Sequence, residues 1–157
     1  MDREFQIDHV NIVVEDLERM VSFYCDVLGL KETKRVTISG EWVATTVGFS
    51  DVHADVVYLE FESGPRIELI RYNRPAADRP AGVDRPNAPG LRHIAFRIED
   101  IDAAVARLQR AGVKFFSRDV QQVPDTQVTY AGGIRKRLIY FADPEGNLLE
   151  FCEYKAR

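Results

Sequence analysis

Apolar residues along the chain switch between two periods, and the switches recur. Val10, Ile12 and Val14 alternate with His9, Asn11 and Val13, the period of a strand with one covered face, within a β-rich segment over 4–14. Asp16 can then cap a helix whose apolar side, Leu17, Met20, Val21, Tyr24 and Leu28, repeats at helical spacing until Gly29 supplies a stop. The same order returns with a strand over 91–98, in which Ile94, Phe96 and Ile98 share the covered face. Asp100 stands near the next cap, Ile101, Ala104, Val105 and Leu108 form the helix face, and Gly112 is the stop. Three further strands are predicted in each half, in the first near 34–39, 42–48 and 55–62 plus 66–72. The pattern is β-α-β-β-β, written twice.

The repetition extends to residue identity. His9-Val-Asn-Ile-Val-Val-Glu-Asp matches His93-Ile-Ala-Phe-Arg-Ile-Glu-Asp 84 positions on, and Gly29 meets Gly112 at an offset of 83. Val57-Tyr58-Leu59 resembles Ile139-Tyr140-Phe141, and Gly64, Glu68 and Tyr72 meet Gly146, Glu150 and Tyr154 at an offset of 82. A diverged tandem duplication leaves this kind of ordered similarity with small shifts of offset. Four of the seven prolines, Pro75, Pro80, Pro86 and Pro89, fall in residues 73–90, which excludes regular helix or inner strand there. The expected organisation is one domain of two modules, 4–72 and 91–154, joined by the linker 73–90.

Composition narrows the function classes. The 157 residues include 21 Lys and Arg against 25 Asp and Glu, a formal net charge of −4 that argues against general nucleic-acid binding. No apolar run approaches the roughly 20 residues of a membrane helix, so no membrane partner is expected. The charged start Met1-Asp2-Arg3-Glu4 does not resemble a secretory signal, and Cys25 and Cys152 are too few for a disulfide scaffold. A reduced, cytoplasmic setting is the expectation.

Strand alternation selects the candidate chemistry. His9 and Asn11 face away from the helix of their module, as do His93 and Arg97 in theirs. In the last strands Ile67, Leu69, Leu149 and Phe151 lie under the helices, which leaves Glu68 and Glu150 on the opposite face with Cys152. A lone strand histidine is ordinarily a satisfied polar residue, and a glutamate in Ile-Glu-Leu an ordinary solvent-facing one. Here two His and two Glu occupy equivalent positions in a repeat. Two imidazoles and two carboxylates suit a divalent transition metal and leave coordination positions for water or a chelating substrate. His53 has no repeat counterpart and is read as a loop residue; Cys152 is read as a small buried hydrophobe.

Asp8-His9-Val10, Tyr24-Cys25-Asp26-Val27-Leu28-Gly29-Leu30, Arg66-Ile67-Glu68-Leu69, Leu91-Arg92-His93-Ile94-Ala95-Phe96 and Asp143-Pro144-Glu145-Gly146-Asn147 leading to Glu150 together resemble the vicinal oxygen chelate superfamily. That group includes glyoxalase I, methylmalonyl-CoA epimerase, extradiol dioxygenases and the fosfomycin and bleomycin resistance proteins. The resemblance implies an α+β fold of two tandem βαβββ modules, forming a curved mixed sheet around a metal cavity with helices on the outer face. It implies His9, Glu68, His93 and Glu150 as ligands of one divalent ion, Zn, Ni or Co. Glu68 or Glu150 then serves as the base that moves a proton beside a chelated oxygen. Position 13 is Val where bacterial glyoxalase I carries an arginine.

The leading expectation is therefore a metal-dependent lyase or isomerase, glyoxalase I-like or epimerase-like, acting on a small oxygen-chelating substrate and assembled as a homodimer. The alternatives are an extradiol-type dioxygenase with Fe or Mn, for which Tyr130 and His53 are the candidate acid or hydrogen-bonding groups, and a non-catalytic binding or resistance protein. Arg97, four residues after His93, is expected to meet a substrate carboxylate or phosphate with Asn11 nearby, or else to form a structural salt bridge. The stretch Tyr130-Ala131-Gly132-Gly133-Ile134-Arg135-Lys136-Arg137 reads as a solvated hairpin before the penultimate strand, or as a flap over an anionic substrate.

Overall fold

The computed structural model describes residues 5–124, 126 and 134–156. The chain divides into two compact units, Met1–Arg79 and Pro80–Arg157, and the division falls inside the proline-rich stretch 73–90. Among the described residues, no helix is long and apolar enough to cross a membrane.

The first unit runs β1 (His9–Val13), α1 (Leu17–Ser22), β2 (Lys31–Ser39), α2 (Glu41–Val47), β3 (His53–Glu60) and β4 (Arg66–Arg74). Its sheet has the order β1-β4-β3-β2, with β1 parallel to β4 and the other pairs antiparallel. Asp16 caps α1 as its sequence position predicts, its carboxylate accepting the Arg19 N–H at 3.1 Å. The helix widens into one π-type turn over Phe23–Val27, which keeps Phe23 and Tyr24 buried beside Met20 and Val21. Gly29, with φ of 88°, then turns the chain into β2.

One predicted strand is a helix. Residues 42–48 carry the β-branched and aromatic run Trp-Val-Ala-Thr-Thr-Val, yet Glu41–Val47 is α2. Gly40 (φ 93°) breaks the chain out of β2, and Gly48 (φ 77°) closes the helix with its N–H on the Ala44 carbonyl at 2.9 Å. β2 pairs directly with β3 along nearly its whole length, so the sheet has no place for a strand between them. Tertiary pairing overrides local propensity here. His53 is likewise not a loop residue: it is the first residue of β3, paired with both Ser39 and Arg74.

The second unit repeats the plan with β5 (His93–Arg97), α3 (Ile101–Arg110), β6 (Gln121–Gln122), β7 (Ile134–Ala142) and β8 (Leu148–Ala156), in the sheet order β5-β8-β7-β6. Asp100 caps α3 through the Ala103 N–H at 2.9 Å. Ile101, Ala104, Val105 and Leu108, the predicted helix face, are all buried, each full burial of a large aliphatic being worth ~1.5–3 kcal/mol. Glu153 on β8 is 1% exposed, accepts the Ile101 N–H at 3.1 Å and pairs with Arg137 and Lys155 at 3.2 and 3.0 Å. The helix start is thereby fixed to the sheet. Residues 134–137 belong to β7, so the basic run Arg135-Lys136-Arg137 is strand and not a hairpin ahead of it. Tyr130, Gly132 and Gly133 lie outside the described residues.

Candidate functional site

In the first unit the parallel register sets His9 opposite Arg66 and Asn11 opposite Glu68, while β3 brings Tyr58 opposite Glu68 from the other side. Strand alternation puts all of these on the face that the helix leaves open. Glu68, its side chain 14% exposed, accepts the Tyr58 hydroxyl on Oε1 at 2.5 Å and the Asn11 amide on Oε2 at 2.6 Å. His9 Nε2 lies 3.6 Å from the same Oε2. On the other side of its ring, His9 Nδ1 is 2.8 Å from Asp8, which also pairs with Arg66. An ionised Asp8 only accepts, so His9 Nδ1 carries a proton and donates to it. The hydrogen bond from His9, and then that from Arg66, hold the Asp8 carboxyl below its ordinary range. The Tyr58 hydroxyl is pushed up to about 12, first by its bond to Glu68 and then by burial.

The second unit holds the equivalent set. His93 Nε2 is 3.1 Å from Glu150 Oε2, and Tyr140 stands opposite Glu150 in the β7–β8 register. The β7–β8 turn is fastened by Asp143, which is 4% exposed and accepts the Glu145 and Asn147 N–H groups at 3.0 and 2.9 Å. Burial, and then the charge of Glu150, raise the Tyr140 hydroxyl above its ordinary value. Three differences break the symmetry, the first being Arg92 before His93 where the first unit has Asp8 before His9. Ala95 replaces Asn11, and Lys136 Nζ approaches Glu150 Oε1 at 2.8 Å, an ion pair whose angles fall outside hydrogen-bond geometry. Glu150 is also the more buried carboxylate, its side chain 3% exposed.

The structure therefore brings His9 to Glu68 and His93 to Glu150, as alternation predicts. Among the described residues, no three His, Cys, Asp or Glu side chains converge as a metal-holding group. Asn11 is bonded to Glu68 itself. Arg97 lies with its guanidinium 5.3 Å from the centre of the Tyr154 ring. His53 Nδ1 is 3.1 Å from the Asn73 amide, at the start of β3. Cys152 is 5% exposed, and its thiol reaches the Phe96 carbonyl at 3.7 Å, in keeping with a small buried side chain.

Sequence reasoning missed Asp8, Tyr58, Tyr140 and Lys136. The tyrosines were findable: they share the offset of 82 that links Glu68 to Glu150, and antiparallel pairing across the turn sets each beside its glutamate.

Comparison with known proteins agrees with this duplicated architecture. The uncharacterized protein YaeR of Escherichia coli strain K12 is 35% identical over 148 residues, 94% of this chain and 95% of its own. The 2-epi-5-epi-valiolone epimerase of an Actinomyces species is 29% identical over 153 residues, 96% of this chain and 80% of that protein. Among solved structures, a glyoxalase family protein from Bacillus cereus superposes with a TM-score of 0.80 at 29% identity, covering 98% of this chain and 96% of that one. With residues 6–151 matching its family model, the chain belongs to the Glyoxalase/Bleomycin resistance protein/Dioxygenase superfamily.

Proposed function

We propose that this protein is a divalent-metal-dependent lyase or isomerase, glyoxalase-like or epimerase-like, that moves a proton at a carbon next to a chelated substrate oxygen. The observation that carries the reading is the duplicated pair: a histidine Nε2 faces a glutamate oxygen at 3.6 Å in one unit and 3.1 Å in the other. The superfamily generally binds a divalent metal ion. The donor chemistry fits. With Nδ1 donating to Asp8, a neutral His9 ring would turn its Nε2 lone pair towards a carboxylate that also only accepts, and a cation between them would reconcile the two electron-pair donors. His9, Glu68, His93 and Glu150 would hold the ion, and Zn, Ni or Co suits two imidazoles with two carboxylates. When bound, the ion supplies Lewis acidity that stabilises negative charge developing on a chelated oxygen.

The rest falls to the chain's own residues. Tyr58 and Asn11 hold Glu68 in one orientation with both oxygens satisfied. Glu68 or Glu150 takes the proton from the substrate carbon and returns it. Tyr58 and Tyr140, kept neutral by their surroundings, donate without competing as bases.

The test is proton exchange. Small 2-hydroxy and 2-oxo carbonyl compounds are incubated with the protein in D2O, and deuterium incorporation at the carbon beside the carbonyl is read by NMR. Incorporation should appear with at least one compound, stop after EDTA treatment, return with Zn, Ni or Co, and fall at least about a hundredfold in Glu68→Gln or Glu150→Gln. Exchange that survives both EDTA and the two substitutions would refute the reading.

A further inference from the structure

The open face of the first unit changes character abruptly beside Glu68. Residues opposite one another in a sheet share a face, so the strand register divides this face into rows. The row through Glu68 is polar: Lys34, Tyr58, Glu68 and Asn11. Two residues further along β4 the row is Val36, Val56, Ile70 and Val13, and the row after it is Ile38, Ala54 and Tyr72. No side chain in these two rows is charged, and the Tyr72 hydroxyl is their one polar group. Ala54, Val56 and Ile70 are buried and pack together as a floor, with Val36, Ile38 and Tyr72 half-buried against them. Val13, on β1, is 58% exposed. At the far end the Phe49 ring, itself half-exposed, meets the Tyr72 ring edge-on at 6.4 Å. Phe49 also lines a hollow of about 550 Å³ against α2, shared with Ala44, Gly48 and Val52. From Glu68 to Tyr72 the band runs for roughly 13 Å, at about 3.3 Å per residue.

The fold does not require this band. A sheet face left open by the helices ordinarily turns polar, giving strands that alternate apolar and polar residues. In the duplicated unit the positions of Val13 and Ala54 hold Arg97 and Lys136, at offsets of 84 and 82, so the same strands accept charge there. A partly exposed apolar surface with placed polar groups at one end has the make-up of a small-molecule site. Hydrocarbon contact supplies affinity there, and the polar groups fix the orientation.

We propose that this band takes a hydrocarbon part of the substrate, an alkyl or aryl group that leaves the chelating oxygens at Glu68 and lies along Ile70 towards Tyr72 and Phe49. Val13, Ile70 and Phe49 then set which substituents are accepted, Val13 and Ile70 near the reacting end and Phe49 at the far end. The link to a chelating group rests on the metal reading above; the affinity of the band for hydrocarbon does not.

Two titrations of full-length protein separate these claims. Hexan-1-ol is added to EDTA-treated protein and followed by methyl NMR. The methyl groups of Val13, Val36, Ala54, Val56 and Ile70 should shift together and saturably. Acetohydroxamic, butyrohydroxamic, hexanohydroxamic and octanohydroxamic acids, which share one chelating head, are titrated calorimetrically into Zn-loaded protein. Affinity should rise about two- to fourfold for each added methylene, the range from half to full burial. Val13→Asp should weaken the hexanol complex about three- to tenfold, the scale of losing one partly buried aliphatic side chain. Phe49→Ser should weaken octanohydroxamate binding at least about threefold and leave acetohydroxamate binding unchanged, a split that a general loss of stability would not produce. Melting temperatures are recorded for both variants, and the wild-type series decide the matter if either variant fails to fold. Hydroxamates bound equally whatever their chain length, or hexanol shifts that miss these methyl groups, would overturn the proposal. Failure of wild-type protein to take up Zn would overturn the metal reading, while the hexanol titration would still decide the band.

Discussion

Removing a single oxygen at Tyr58 is the sharpest perturbation of the first unit. Tyr58→Phe keeps the ring, including its edge contact with His9 at a centroid distance of 5.9 Å, and deletes only the donor that reaches Glu68 Oε1 at 2.5 Å. A hydrogen bond to a carboxylate is worth ~1.5–3 kcal/mol. The rise of the Tyr58 hydroxyl from 10.0 to about 12 sets a ceiling near ~2.7 kcal/mol by the same linkage. Water has some access to Glu68, whose side chain is 14% exposed, and Asn11 still holds the other oxygen, so the loss should be about 1–2 kcal/mol. For a chain of this size that lowers the melting temperature by roughly 3–6 °C. Because the hydroxyl orients a proposed ligand, metal affinity should also fall by about 10- to 100-fold. Thermal melts followed by circular dichroism and a competition titration against a chromophoric chelator read the two effects separately. A variant with a melting temperature within 1 °C of wild type and unchanged metal affinity would refute the reasoning, since it would mean that the Tyr58–Glu68 bond constrains nothing (~1 °C being below the smallest loss expected).

Asp8→Ala should weaken metal binding by about 10- to 100-fold in the same chelator competition, by freeing the His9 ring, with Asp8→Glu in between; equal affinity in all three proteins would show that His9 needs no orienting carboxylate. Glu153 gives a pH signature. Burial alone would raise its carboxyl, but the Ile101 N–H, Lys155 and Arg137 together hold it below the ordinary 4.5, so its contribution to stability is present above that pH and is lost as pH falls through the lower folded value. Glu153→Gln should accordingly melt well below wild type at neutral pH, and the gap should narrow on acidification below about pH 4.5; a gap constant with pH would contradict the assignment.

Much of this architecture is legible in the chain because the duplication repeats each signal. Asp16 and Asp100 stand before two apolar helix faces that the structure buries, and alternation alone sets His9 and Glu68, or His93 and Glu150, on one face. What escapes is what depends on partners distant in sequence. Trp42–Val47 has strand propensity, and only the direct pairing of β2 with β3 shows that no strand slot exists there. Asp8 reads as a surface charge until its contacts with His9 and Arg66 are seen. Lys136 belongs to a basic run that suggests a solvated turn, and only the β7–β8 register sets it against Tyr154 and within reach of Glu150.

The central claim is that the two His–Glu pairs serve one metal ion. Its most direct test is metal analysis by mass spectrometry on wild-type, His9→Ala and His93→Ala protein, each loaded with Zn, Ni or Co, dialysed and checked for intact fold. The account predicts one tightly held ion per chain in wild type and its loss from both variants, although the substituted histidines belong to different units. Retention of the wild-type amount after either substitution, or no retained metal in wild type, would contradict it.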